Sequence, residues 1–257
     1  MTLQKVEKKG HLETARRMRS LASRIFRYAV ATSRASADPS ALLRGALAAP
    51  QVTHHSAIID PKEVGGLLRA IDGYSGQPLT CLALKLTPHL FVRPGELRRA
   101  EWDEFDFDEA VWTIPAEKMK MRDPHLVPLS NQALELLESA KAISEGQRYV
   151  FSSLYPGKRP MSENTINAAL RRLGYTGKEM TAHGFRSMAS TLLNESGKFN
   201  PDAIERALAH KDTNASRAAY HRGLHWAERV EMAQWWSDRL DTLRDGAKII
   251  QFESRTG

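Results

Sequence analysis

The chain has 257 residues, 42% hydrophobic and 26% charged; that supports one large domain or two small ones, and its single cysteine, Cys81, excludes a disulfide framework. A net charge of +7 and an isoelectric point near 9.6, with Lys and Arg spread along the chain, point to nucleic acid as partner; a merely cationic soluble protein is the less specific alternative. No apolar run reaches the ~18 residues of a membrane span, and residues 1–10 lack the apolar core of a signal peptide, so a cytoplasmic protein without membrane association is expected.

Residues 12–34 read as a basic amphipathic helix. Leu12, Ala15, Met18, Leu21, Ala22, Ile25, Phe26 and Ala29 recur at helical spacing, and Arg16, Arg17, Arg19, Arg24 and Arg27 fill much of the remainder. Arg16, Arg24 and Arg27 are candidate contacts to DNA phosphates; the plainer alternative is a solvated face. Residues 35–59 carry little pattern, and 50–56 read as linker. His54 and His55 are adjacent in that linker without partners, a poor basis for a metal site.

A new domain begins at Asp60. Asp60 as N-cap, Pro61 in the first helical position and Glu63 two residues later form a start signal. Val64, Leu67, Leu68 and Ile71 give the stripe that follows, and Gly73 stops it. Residues 79–90 are apolar enough for a core helix, with Cys81 as a buried inert thiol. The chain then reaches Arg93-Pro94-Gly95-Glu96-Leu97, where another helix starts at Pro94. An arginine paired structurally with Glu96 is the plain reading of Arg93.

Between 105 and 130 the period changes to two. Phe105–Phe107 and Val111–Ile114 read as a hairpin around a turn at 108–110, with His125–Leu129 as a third strand in which His125 is structural. The intervening loop holds Lys118, Lys120 and Arg122, cations able to reach a nucleic-acid groove. Further helices follow at 132–143, with Leu134, Leu136 and Leu137 inward, and at about 162–173, with Arg171 and Arg172 outward as further candidate contacts to DNA. Gly197 ends the next helix, Pro201 starts another that stops at Ala209-His210, and a final helix at 225–244 sets Val230, Ala233, Trp236 and Leu240 on one side.

At Thr181-Ala182-His183-Gly184-Phe185-Arg186 a helix opens with an imidazole and a guanidinium three residues apart, hence on one face. That pair suits a phosphate: the guanidinium binds two oxygens and the imidazole exchanges a proton. His-x-x-Arg alone is common by chance; its weight comes from the rest of the chain.

Arg93, Lys120 in a hairpin loop, His183-x-x-Arg186, His210 and Tyr220, in this order and spacing, resemble the catalytic set of the tyrosine recombinases, or phage-type integrases. Arg-Pro-Gly-Glu-Leu-Arg at 93–98, Ile-Pro-Ala-Glu-Lys-Met-Lys at 114–120, His-Gly-Phe-Arg at 183–186, Met-Ala-Ser-Thr-Leu-Leu-Asn-Glu at 188–195 and Ile-Glu-Arg-Ala-Leu-Ala-His at 204–210 are similar to the P4-like prophage integrase branch. The resemblance spans roughly residues 5–243. It implies a mainly α catalytic domain at 60–245 with a small three-stranded antiparallel β-sheet, preceded by the closing helices of a core-binding domain (1–50) and a linker (51–59) and followed by a tail (246–257). Members of the branch carry a whole core-binding domain and an arm-binding domain; here the DNA clamp is expected to be shortened.

The implied function is site-specific cleavage and rejoining of double-stranded DNA through a 3′-phosphotyrosine at Tyr220, for integration or excision of a prophage or genomic island. Arg93 and Arg186 would meet the phosphoryl charge, His183 would act as general base, His210 would bond the phosphate, Lys120 would protonate the leaving hydroxyl, and Glu96 would support the site. Lys118 or Arg122 are the alternatives to Lys120. No metal or nucleotide cofactor is implied. Assembly would be a tetramer on DNA, or a monomer in isolation, with DNA-bending proteins as accessory partners. Two rival functions are a DNA-binding remnant without recombination and a type IB topoisomerase.

Overall fold

The computed structural model describes residues 2–49, 56–120, 122–153, 159–210 and 225–246. The chain divides into two units, residues 1–54 and 55–257. In the first, α1 (Thr2–Lys8) turns through Gly10, whose φ of 80° takes the left-handed region, into α2 (Leu12–Ala31). The side chain of Ser23 donates to Asp38 Oδ2 (2.6 Å), and Asp38 also receives Ser40; these bonds hold the Asp38 carboxyl below its usual range. On α2 only Ala15 is buried. Met18, Leu21 and Ile25 of its apolar stripe remain exposed, as do Arg16, Arg24 and Arg27.

The second unit starts before Asp60, because Ser56 and Ala57 lie against Gly184 and Ile58 packs on the core. Asp60 Oδ1 accepts from the amides of Lys62 (2.9 Å) and Glu63 (3.1 Å), capping α3 (Pro61–Asp72). Val64, Leu67, Leu68 and Ile71 are its buried face. The expected single core helix at 79–90 is instead α4 (Pro78–Leu86) followed by a 3-10 turn at Thr87–His89. Pro88 has no amide hydrogen and cannot continue the α pattern. A short α5 (Pro94–Leu97) then carries Arg93 at its N-cap.

The sheet is β1 (Phe105–Asp106), β2 (Val111–Ile114) and β3 (His125–Pro128), antiparallel and in sequence order, with Phe105 opposite Trp112 and Ile114 opposite His125. Trp112 and Ile114 are fully buried under it. Helices α6 (Asn131–Ser144), α7 (Thr165–Arg172), α8 (Gly184–Ser196) and α9 (Pro201–Ala207) complete the domain with α10 (Trp226–Asp245). On α6 the fully buried positions are Ala133, Leu137, Ala140 and Ser144, with Leu134 and Leu136 partly covered.

Helix α10 packs chiefly on α3, and Trp236 Nε1 donates to Pro88 O at 2.8 Å. Its buried face is Arg229, Met232, Ala233, Trp236, Ser237 and Leu240, whereas Val230 is exposed. From sequence, Val230 shares a side with Ala233, Trp236 and Leu240. The helix is rotated from that expectation because Arg229 finds partners in the interior: its guanidinium donates to Leu126 O and lies over the Trp226 ring.

Candidate active site

The amide and guanidinium of Arg93 both bond the Glu96 carboxylate, the backbone N at 2.7 Å and Nη1 at 2.8 Å, so the short α5 and its N-cap side chain form one rigid unit. Nη2 of Arg93 reaches across the chain to Ala209 O at 3.1 Å. Glu96 is buried, and Arg93 keeps about a quarter of its side chain exposed.

Arg186 lies on the first turn of α8 and is 4% exposed. Its Nη1 donates to Phe91 O and its Nη2 to Leu208 O at 2.6 Å. Burial pushes its pKa down to about 10, and the neighbouring Arg93 charge adds to the effect. It therefore stays protonated at neutral pH. His183 occupies the N-cap of α8, half-buried, and Thr181 Oγ1 accepts the Gly184 amide at 3.0 Å. A Cβ on Gly184 would stand 2.3 Å from Ser56 O and 3.0 Å from Met180 Sδ. Glycine is required there by the close approach of the 56–57 segment.

Asn200 caps α9 by accepting from the Asp202 amide, and the helix stops at a reversal where Ala209 adopts φ +49°. A left-handed non-glycine residue is strained, and here it swings His210 back towards α8. His210 Nδ1 faces Glu205 Oε2 at 2.7 Å, so the carboxylate takes the Nδ1 hydrogen, and Nε2 accepts from Arg186 Nη2 at 3.3 Å. His183, Arg186, Ser187, Ser190, Thr191, Leu208 and His210 line a pocket of about 200 Å³. Arg93, Glu96, His183, Arg186 and His210 thus come together.

Lys120 is exposed on the loop between β2 and β3, and Arg122 is exposed at φ +57°. Lys118 faces inward: its ammonium bonds Glu101 Oε1 (2.7 Å), Glu104 and Arg99 O. Arg148 bonds the other oxygen of Glu101, and Trp112 Nε1 donates to Glu104. Arg148, and then Lys118, hold the Glu101 carboxyl below its usual range. Lys118 is thereby spent on internal carboxylates instead of facing a groove. Arg171 is likewise engaged with the carbonyls of Tyr175 and Met180, and Arg172 with the Tyr74 hydroxyl. Tyr220 lies outside the described residues, as do Met121 and nearly all of 246–257.

Glu205 and the carbonyls of Phe91, Leu208 and Ala209 are parts of this site that the sequence reading missed. The five-residue spacing of Glu205 and His210 was the only available signal; backbone acceptors leave none. Among the described residues, no group of three or more His, Cys, Asp or Glu side chains could hold a metal ion, and no helix is long and apolar enough to cross a membrane.

A helical domain with a small antiparallel sheet and two arginines gathered beside a histidine is the architecture of a tyrosine-recombinase catalytic domain. A lambda integrase (residues 75–356) dimer bound to a COC' core site matches it with a TM-score of 0.62 at 22% identity, covering 88% of this chain and 79% of that one. Residues 58–224 match the phage integrase family and residues 1–46 the phage integrase central domain. The chain belongs to the phage integrase family. It is 42% identical over 254 residues to the putative protein IntB of Escherichia coli K12, covering 93% of this chain and 64% of that protein. It is 41% identical over 257 residues to the integrase of Enterobacteria phage P4, covering 95% and 58%. These relatives put it in the P4-like branch, and the chain spans less than two thirds of their length.

Proposed function

We propose that the chain is a site-specific DNA strand transferase that integrates or excises a prophage or genomic island through a covalent phosphotyrosine at Tyr220. One observation carries the reading: Arg186 and Arg93 donate to the successive carbonyls of Leu208 and Ala209, which sets two guanidiniums side by side next to His210. Such a pair suits the charge that builds on the non-bridging oxygens of a phosphodiester under attack.

In the reaction, the Tyr220 oxygen attacks phosphorus while His183 takes its proton. The bond from phosphorus to the 5′ oxygen breaks, and Lys120 supplies the proton that leaves a free 5′ hydroxyl. The new phosphotyrosine conserves the bond energy, so the reverse attack by a 5′ hydroxyl rejoins the strand. His210, oriented by Glu205, stands beside the phosphate, and Glu96 keeps Arg93 in place. Because the arginines provide the positive charge, the reaction proceeds without a metal.

Residues 1–50 act as part of a core-binding domain and 60–245 as the catalytic domain, with Arg16, Arg24, Arg27 and Arg122 on DNA phosphates. Lambda integrase forms a dimer bound to a COC' core site and a tetramer bound to a Holliday junction; a tetramer on two duplexes is the assembly proposed here, with DNA-bending proteins as accessories in the bacterial cytoplasm. Incubating the protein with a nicked suicide substrate carrying its attachment site tests the reading. Covalent protein–DNA product supports it; retarded DNA without covalent product would mean a binding protein only.

A further inference from the structure

Three successive carbonyls at the C-terminal end of α9 are each taken by a side chain from a different element. Ala207 O faces His125 Nε2 at 3.3 Å, Leu208 O receives Arg186, and Ala209 O receives Arg93. A helix end leaves its last carbonyls without helical partners and carries partial negative charge, so cationic and N–H donors settle there. Two of the three donors are the proposed phosphate-binding arginines. The third is a histidine with no assigned part in the chemistry.

His125 opens β3, pairs with Ile114 across the sheet and is 8% exposed. It stands five residues after Lys120, at the base of the same loop. A carbonyl only accepts, so Nε2 carries the hydrogen. Burial, with Arg229 the next contribution, pushes its pKa down to about 3, which keeps the ring neutral at working pH. The next carbonyl of β3, Leu126 O, receives Arg229 of α10. The foot of the Lys120 loop is therefore tied at two adjacent residues, once to the α9 terminus and once to α10.

We infer that His125 is a positioning residue for strand cleavage: its Nε2–H bond to Ala207 O fixes the α9 terminus that holds Arg93, Arg186 and His210, and links it to the loop that carries Lys120. The inference rests on the proposed recombinase reading. If this bond breaks, the carbonyl row can shift against β3, and both halves of the site lose their common reference. Small displacements of this kind cost rate while leaving remote DNA contacts intact.

Gln and Met are nearly isosteric, and only Gln places an N–H where Nε2 stands, so His125→Gln and His125→Met isolate the bond. On a suicide substrate, His125→Met is expected to lower the single-turnover cleavage rate about tenfold or more, with half-saturating DNA within about twofold of wild type, and His125→Gln to recover to within about threefold. Equal rates for Met and wild type, or equal losses in Met and Gln, overturn the inference while wild-type cleavage leaves the recombinase reading standing. Absence of wild-type cleavage counts against that reading instead. The guanidinium ¹⁵N–¹H resonances of Arg93 and Arg186 in the protein alone then decide the positioning: shifts in Met that Gln restores support it, and unchanged resonances in Met overturn it.

Discussion

Arg186 Nη2 stands 3.3 Å from His210 Nε2 although 24 residues separate them. The approach depends on the left-handed Ala209, which turns the chain back after α9, and on the bonds from Arg186 to Phe91 O and Leu208 O, which leave the guanidinium a single position. A preorganised donor of this sort meets transition-state charge without moving.

Arg186→Lys keeps the charge and loses the planar fork. Cleavage of a suicide substrate should fall by about 10²–10³-fold, the loss typical of removing one preorganised donor. Arg186→Ala should also cost about 1–3 kcal/mol of stability for each buried carbonyl left without a partner. Both are read by single-turnover rates beside denaturant unfolding.

The two lysines of the β2–β3 loop should separate cleanly. Lys118 sits between Glu101 and Glu104, both largely buried; Lys118→Met takes the ion pair from Glu104, which keeps the Trp112 N–H, and leaves Glu101 with Arg148, and should destabilise by about 3 kcal/mol. Lys120→Ala should unfold like wild type but cleave about 10²–10⁴-fold more slowly. A substrate with sulfur in place of the 5′ bridging oxygen needs no proton on its leaving group, and it should restore the Lys120→Ala rate. A normal melting curve for Lys118→Met would contradict this division.

Acid should weaken the fold through buried histidines. Burial pushes His89 down to about 4 and His125 down to about 3, against the ordinary value of 6.5. Above pH 6.5 neither the folded nor the unfolded chain protonates them. As pH falls below that value, the unfolded chain takes up protons the folded one refuses, so stability declines until the folded rings titrate near 4 and 3. The slope is about 1.4 kcal/mol per pH unit for each ring within this window. His89→Gln should remove one such contribution, measured as the difference in unfolding free energy between about pH 6 and pH 5. An unchanged slope in this variant would show that His89 is not buried neutral.

Gly184→Ala forces a methyl to within 2.3 Å of Ser56 O. The start of α8 must then move, taking the His183 N-cap and Arg186 with it. A stability loss of about 1–3 kcal/mol is expected, together with slower cleavage. Thermal unfolding within a degree of wild type would show that the 56–57 segment simply gives way.

Much of the fold was legible because local chemistry wrote it. Asp60, Pro61 and Glu63 marked the start of α3, alternating residues marked β2, and Gly197 marked the end of α8 with its left-handed φ. The departures arise where tertiary partners override local pattern. Arg229 is buried because Leu126 O and Trp226 receive it, which turns Val230 outward; Lys118 is drawn in by two acids whose proximity no spacing reveals. The side chains around the pocket were readable in order, whereas the carbonyls that aim them were not, since every residue has one. On α2 the helix was legible and the exposure of Met18, Leu21 and Ile25 was not.

These arginines are expected to serve a covalent strand transfer by Tyr220. A denaturing gel of the protein with nicked half-site DNA from its attachment region, run beside Tyr220→Phe, tests it most directly. The wild type should give a covalent protein–DNA band that disappears in Tyr220→Phe. A band that persists in Tyr220→Phe would contradict the assignment of the nucleophile, and no band from a protein that still retards DNA in a native gel would contradict strand transfer itself.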